Sequence, residues 1–502
     1  MYSAFVNQKY CCSNKQITNK MTLRIDSKKW ILYRHTRDFD KLCVVAEFLK
    51  SYTKTGISKD EKTLLNSKLR ELGLYNERNP DLPLDAINHK INQLSYYMFG
   101  YQAKVDGQDR FLFSPLGNLF LKHVSDKEKA AKIFLTMLWA VQYQHPHSGT
   151  DNEFQLYPFR LIYKLLSEPK LSNKLFAFEV AYSVVFLSEA TKSTYKELVN
   201  ELLDLRKLTD KELEKKFQEN KHAFVNSAYE WDYYVSSLFE SAGVLNKKDG
   251  IVITKLQHGN TNTFRKITRN EVSIPDNLKT LVEQLENEFS FLEKPLLLND
   301  PERLKLDVIK EIYSFYPKTL LSEIGEAVDN IKFELLNLPK LIEQYANNNE
   351  GAEAYLFEDA LADGFNMFHN VEAQKISGAG NTDLECLYIT RKKKFTVEAK
   401  STKNKLSSVN AGRLAGHREK IGGAYTIVVT PRYVPAVLQD IRTSPIVIIR
   451  SNTFSEYLYN CIDNDVREID YEDFDSIIVS NLGKDISKNI SDLTISRFAT
   501  QK

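Results

Sequence analysis

Cysteine is scarce in this chain: five in 502 residues (Cys11, Cys12, Cys43, Cys386 and Cys461), with no CxxC pair. That scarcity argues against a disulfide framework or a cysteine zinc site and points to a reducing cytoplasm. An excess of one charge is also missing, since 68 Lys and Arg face 66 Asp and Glu for a net charge of +2. Binding to a polyanion must then come from local patches, not from bulk electrostatics. No apolar run can span a bilayer; the longest, Leu175 to Leu187, is interrupted by Glu179. The N-terminus is polar and mixed in charge, unlike a secretory signal. There is no internal repeat, no P-loop lysine motif and no glycine-rich nucleotide fingerprint, so nothing suggests ATP-driven translocation. His145-Pro146-His147 lacks a third ligand and reads as a loop.

What is present supports a soluble, multidomain protein, because 42% apolar content over 502 residues can build two to four cores. The first 20 residues read as a loose arm. Apolar spacing then predicts helices over 38–52, 59–72 and 84–99, followed by a strand at Arg110-Phe111-Leu112-Phe113 and a helix begun by Ser114-Pro115. A second unit repeats the pattern: a helix from Ala228 to Ala242, a turn at Lys248-Asp249-Gly250 and the strand Ile251-Val252-Ile253-Thr254. Helices closed by a hairpin resemble winged-helix units, a fold that often places one helix in the major groove, but the pattern alone is too common to establish DNA binding. The expected division is a first winged-helix-like subdomain over 1–165, a second over 166–275, a helical linker over 276–340 and an α/β domain with a mixed sheet over 341–502.

Within that last domain, Asp383 heads one strand and Glu398-Ala399-Lys400 ends the next, with Arg391-Lys392-Lys393-Lys394 at the hairpin tip. Period-two alternation puts Glu398 and Lys400 on one face. A hard cation such as Mg²⁺ wants oxygen ligands, which Asp383, Glu398 and the Ala399 carbonyl can supply. Such a site acidifies water and offsets phosphate charge, while Lys400 orients or deprotonates the attacking water. Glu358, on an acidic helix with no Lys or Arg, lies beside an apolar stripe and can point to the strand ends; Glu353 is its possible substitute. Glu385 reads as a salt-bridge partner of the basic hairpin. From Arg391 to Lys420 ten Lys or Arg face two Glu. That run is expected to surround the site and contact phosphate through Lys392, Lys393, Lys403, Lys405, Arg413, His417 and Arg418.

Thr382-Asp383-Leu384-Glu385, Val397-Glu398-Ala399-Lys400 and His417-Arg418-Glu419-Lys420 leading into Tyr425–Thr430 together resemble the nuclease domain of PD-(D/E)XK restriction endonucleases. More narrowly, the chain is similar to the AlwI family of type IIS enzymes and related nicking endonucleases. Phe113-Ser114-Pro115-Leu116-Gly117 and Tyr157-Pro158-Phe159-Arg160 resemble segments of that family's recognition region, and the domain order resembles FokI-like enzymes. Thr382 stands where that pattern has proline, and Glu398 where it has Asp or Glu. The resemblance implies Asp383, Glu398 and Glu358 as metal ligands and Lys400 as the catalytic lysine. It also implies that residues up to about 275 read a short asymmetric site in double-stranded DNA while the C-terminal domain cuts a fixed distance away, in a prokaryotic cytoplasm. Double-strand cleavage would need a second copy or a small nuclease subunit, and a cognate DNA methyltransferase would complete the system. Arg24, Arg34, Arg37 and Arg269 are candidates for base readout. Two further readings are a nicking or repair nuclease of the same fold and a non-catalytic DNA-binding protein.

Overall fold

The computed structural model describes residues 28–52, 57–75, 84–105, 108–259, 263–301, 303–327, 330–349, 351–376 and 380–498. The N-terminal arm with Cys11, Cys12 and Arg24, the Asn79-Pro80 turn and Gly378-Ala379 lie outside the described residues.

The first half is mainly helical. Helices Phe39–Tyr52, Lys59–Glu71 and Asp85–Tyr96 lead into an antiparallel hairpin of β1 (Gly100–Val105) and β2 (Gln108–Phe113). Ser114 then caps the helix Pro115–His123, its side chain accepting from the Gly117 N–H. A Cβ on Gly117 would fall 1.9 Å from the Phe99 carbonyl oxygen, so only glycine permits this approach of helix to hairpin. β3 (Leu175–Phe176), β4 (Asn246–Lys248) and β7 (Glu271–Ser273) make a small sheet, and β5 (Val252–Gln257) pairs with β6 (Phe264–Thr268) as a second hairpin. The first hairpin contains the strand expected at 110–113, and β5 contains most of the strand expected at 251–254. However, β5 pairs with β6 beyond it, and β4, before the expected turn at 248–250, pairs with β7. The charged Glu179 inside the apolar run is fully buried and held by Arg206, with Nε 2.6 Å away. Among the described residues no helix is long and apolar enough to cross a membrane.

Buried apolar side chains from Trp30 to Ile324 form one continuous cluster. It takes in residues on both sides of position 165, together with Leu281, Leu285, Val308 and Leu320 from the stretch expected to be a linker. The packing thus draws no division at 165 or 275. A second cluster runs from Ile342 to Ile490.

That second body is built on five strands: β8 (Val371–Lys375), β9 (Leu384–Tyr388), β10 (Lys393–Ala399), β11 (Thr426–Thr430) and β12 (Ile446–Arg450). Their order is β12-β11-β10-β9-β8; β8, β9 and β10 run antiparallel, and β10, β11 and β12 run parallel, giving a mixed sheet. Every residue of β11 is buried, as expected of a central parallel strand covered on both faces. Ile427 and Val429 enter the larger core, and Val428 enters a smaller one with Leu414, Val437, Ile446 and Ile448. Each such burial is worth roughly 1.5–3 kcal/mol. Helix Ala354–Asn366 covers the first face through Phe357, Leu361 and Phe365, and helix Ala411–Ile421 covers the second through Leu414. The two bodies meet at Asp307, which is buried and accepts from Thr453 (2.9 Å) and Ser491 (2.7 Å) of the second body.

Candidate active site

The β9–β10 hairpin opens at the end where Asp383 precedes β9 and Lys400 follows β10. The last paired residues are Leu384 and Val397. Thr382, buried beside them, donates its hydroxyl to the Val397 carbonyl at 3.2 Å and pins the strand entry. Beyond the last pair the Ala399 N–H has no partner on β9, and the Asp383 carboxylate accepts it at 2.8 Å. Glu398 pairs laterally with Val428 and so lies on the face of the smaller core. Phe395 and Val397 point the other way, into the larger core.

Lys400 Nζ joins the two acids, 2.7 Å from Glu398 Oε2 and 3.4 Å from Asp383 Oδ2. Its own backbone is fixed by the N–H donating to Val429 and by Thr430 donating to its carbonyl. The Glu398 side chain is 2% exposed, against 22% for Asp383 and 26% for Lys400. One acid thus belongs to the interior, while the other acid and the lysine reach solvent. Burial raises the Asp383 carboxyl above its ordinary value; Lys400 opposes the shift, and the charges of Glu398 and Glu358 add to it. Glu358 sits on the helix covering the opposite face, where Lys375 of β8 holds it at 3.2 Å. It acts on Asp383 by charge and does not join the hydrogen-bonded group. Glu353 is the N-cap residue of the same helix, and its Oε2 is buried without a partner among the described residues.

Two expectations about the basic run are corrected. His417 and Arg418, expected near the sheet edge as contacts to a DNA backbone with a structural role for His417 as the alternative, are both buried. His417 follows Leu414 by three positions on the packed side of its helix, which brings Nδ1 to 3.1 Å from Glu398 Oε1. The Arg418 side chain is folded in against Gly423, with Nη1 unpartnered among the described residues. Nor does the run surround the acids as a whole. Lys392 and Lys393 lie at the closed end of the hairpin, four pairs from Val397, which is about 13 Å along the strand. There Lys393 is paired with Asp475 at 2.6 Å and Arg391 with Glu472 at 2.5 Å. Glu385 pairs with Lys394 at 2.6 Å, on the same hairpin. Around the open end the exposed cations include Lys403 and Lys405 on the loop after Lys400, Arg413, 3.9 Å from Glu398, and Lys420, whose Nζ donates to the Gly380 carbonyl at 2.6 Å.

The sequence motifs include Thr382 but leave out Lys375. Lys375 ends edge strand β8, Val371–Lys375, whose small and charged residues give little strand signal. Among the described residues no three His, Cys, Asp or Glu side chains form a closed metal cage. Two converging carboxylates whose mutual repulsion a single lysine only partly offsets nevertheless suit one hard cation. Asp383, Glu398 and the Ala399 carbonyl would hold it, with water in the other positions, as Mg²⁺ prefers.

The comparisons with known proteins agree with a nuclease. Residues 25–289 match the family described as "Type II restriction endonuclease HgaI, N-terminal domain". A curated relative from Avibacterium volantium, "Type II restriction enzyme HgaI", is 45% identical over 487 residues, covering 95% of this chain and 99% of the relative. The solved structure of restriction endonuclease FokI aligns over 91% of this chain and 99% of its own, at 10% identity and a TM-score of 0.27. Its DNA-bound form aligns over 92% and 100%, at 8% identity and a TM-score of 0.24. Likeness at that level carries no argument about the site. Where the motifs suggested AlwI-like enzymes, the sequence match is to HgaI: the chain belongs to the HgaI family of type II restriction endonucleases.

Proposed function

We propose that this enzyme is a Mg²⁺-dependent type IIS endonuclease of PD-(D/E)XK type, which reads a short asymmetric site in double-stranded DNA and cuts outside it. The observation that carries this reading is the convergence of Asp383 and Glu398 on the Lys400 ammonium, at 3.4 and 2.7 Å. The first body, with its two helix-and-hairpin units of winged-helix character, would recognise the site, and the second would cut.

When bound, Mg²⁺ supplies an acidified water and offsets charge on the phosphate. The protein's own groups do the rest. Asp383 and Glu398 place negative charge where the ion belongs. Lys400, released from its carboxylate pair, orients the attacking water at Nζ and stabilises charge on the phosphate oxygens. The water oxygen bonds to phosphorus as one ester P–O bond breaks, and the departing oxygen takes a proton. His417 fixes the Glu398 carboxylate through Oε1 and leaves Oε2 to face the site. Exposed Lys403, Lys405 and Arg413 offer contacts to the DNA backbone near the cut. Such an enzyme acts in a prokaryotic cytoplasm whose own DNA a methyltransferase protects.

Run-off sequencing of DNA digested with Mg²⁺ tests this reading. Discrete breaks at a constant offset from one asymmetric sequence are expected, with none in EDTA. Breaks on one strand would identify a nicking enzyme; breaks on both would call for a second copy or a separate nuclease subunit. Scattered breaks, or cleavage that persists in EDTA, would overturn the proposal.

A further inference from the structure

Two hairpins project from the first body, and they are not equivalent. β1–β2 turns towards the second body: Tyr101, Phe111 and Phe113 line a cleft with Glu456, Tyr459 and Phe498. β5–β6 packs on helices of its own body and leaves one face to solvent. On that face Lys255 and Lys266 stand directly opposite each other, both exposed. Like charges in a cross-strand pair destabilise a hairpin, so this pair works against its own fold unless something negative covers it.

Beside the hairpin the chain changes its helical pitch. Residues Tyr229–Val235 form a π-helical turn between the α-helices Lys221–Ala228 and Ser236–Ser241. Such insertions recur at functional sites. The wider turn brings Tyr229 and Tyr233 into parallel stacking, with centroids 5.0 Å apart and planes at 9°. An arginine closes each end of the stack: Arg37 lies 4.2 Å from the Tyr233 centroid and Arg265, from β6, lies 3.5 Å from that of Tyr229. Neither guanidinium has a carboxylate partner among the described residues, and the Nε of Arg265 is buried without a partner. The acids of the turn do not compensate. Glu230 is buried against Lys29 and Arg34, and Asp232 is held by Lys247, Thr268 and Asn270.

Resting on the function proposed above, we propose that the open face of β5–β6 and the Arg37–Tyr233–Tyr229–Arg265 ladder together form the surface that binds the recognition duplex. Charge supports DNA as the occupant, because Lys255, Lys266 and Arg37 are exposed and lack acidic partners among the described residues. Geometry supports a duplex over a single strand. Each tyrosine ring stacks on the other and carries a guanidinium over it, which leaves less ring surface for an unpaired base to stack on. Arg265, on the packed face opposite Leu256, anchors the ladder, and the exposed Arg37 presents its N–H edge to phosphates or base edges, while a two-stranded ribbon fits the major groove.

The test uses the full chain carrying Asp383→Ala, which prevents cutting, and a fluorescent duplex bearing the site found by run-off sequencing, with a scrambled duplex as control. Lys255→Glu/Lys266→Glu alters only exposed side chains and leaves the fold intact. It should weaken both duplexes and lower the salt dependence of binding by about two counterions. Arg37→Ala should weaken the site-bearing duplex about ten- to a hundredfold. Tyr233→Phe, which keeps the ring, should bind as the parent does. Unchanged affinity and salt dependence in the lysine and arginine variants would overturn the surface, as would an effect confined to self-association. If the Asp383→Ala parent fails to bind the site-bearing duplex at all, the proposed function itself fails, whatever the variants do.

Discussion

The two ends of the β9–β10 hairpin carry similar charged residues and treat them in opposite ways. At the closed end three of the four cations have their own acid among the described residues: Arg391 with Glu472, Lys393 with Asp475 and Lys394 with Glu385. At the open end Asp383 and Glu398 share Lys400, while Glu358 adds its charge from outside the group. The closed end is mainly a set of ion pairs. The open end brings two carboxylates together in a partly dry place, which costs the fold stability and offers a cation two oxygen ligands. Charge density along the sequence cannot tell these ends apart. The acids that neutralise the tip come from about 80 residues further on, at 472 and 475.

Removing one of the two acids that share Lys400 gives the sharpest break. Asp383→Ala should lower cleavage by about a thousandfold or more while duplex binding persists. A gel cleavage assay beside a binding titration checks both, and retained cleavage would refute the open end as the site. A smaller effect is expected one layer out. His417→Ala should lower the cleavage rate about ten- to a hundredfold, because Glu398 loses the group that orients Oε1. His417→Asn, which can still donate to that oxygen, should recover part of the rate.

The same contrast predicts opposite signs in stability. The folded protein holds the Asp383 proton to higher pH than the unfolded chain, whose carboxyl titrates near 3.8. That carboxyl therefore favours the fold below the unfolded value, and its contribution is lost as pH rises through the raised folded value. Asp383→Asn, with no proton to lose, should gain in melting temperature over the wild type as pH rises from about 4 to about 8 without divalent metal. A constant difference across that range would show that Lys400 already balances the acids. At the tip, Lys393→Ala should destabilise by about 1–2 kcal/mol and leave cleavage unchanged. It strips Asp475 of two hydrogen bonds, at 2.6 and 2.9 Å, and leaves it only the Tyr425 hydroxyl among the described residues. Urea denaturation measures this loss.

The acids and their lysine were legible in the sequence because strand alternation is local: Asp383 heads one run, and Glu398 and Lys400 share a face of the next. The mixed sheet was legible through the apolar β11 and β12. Edge strand β8 was not, since Val371-Glu372-Ala373-Gln374-Lys375 alternates with small and charged residues beside turns. The buried positions of His417 and Arg418 depend on which side of their helix meets β10, and a basic helix read alone gives no sign of it. The single core of the first body was hidden for a related reason. Pro295, Pro301 and Pro317 do interrupt the segment, yet the helices around them pack Leu285, Val308 and Leu320 into that core.

The smallest expected effect tests the closed end most severely. Arg391 and Glu472 are more than half exposed, at 58% and 57%, and their contact of 2.5 Å is open to water and salt. Exposed pairs of this kind contribute little, because solvent screens the attraction and both side chains lose freedom. Arg391→Ala should therefore leave the melting temperature and the cleavage rate indistinguishable from wild type. It should also leave the salt dependence of duplex binding unchanged, since an arginine already matched with an acid on its own body releases no counterion from DNA. A reduced salt dependence would mean that the tip exchanges Glu472 for phosphate when DNA arrives. The two ends of the hairpin would then differ in timing, one charged before binding and the other only during it.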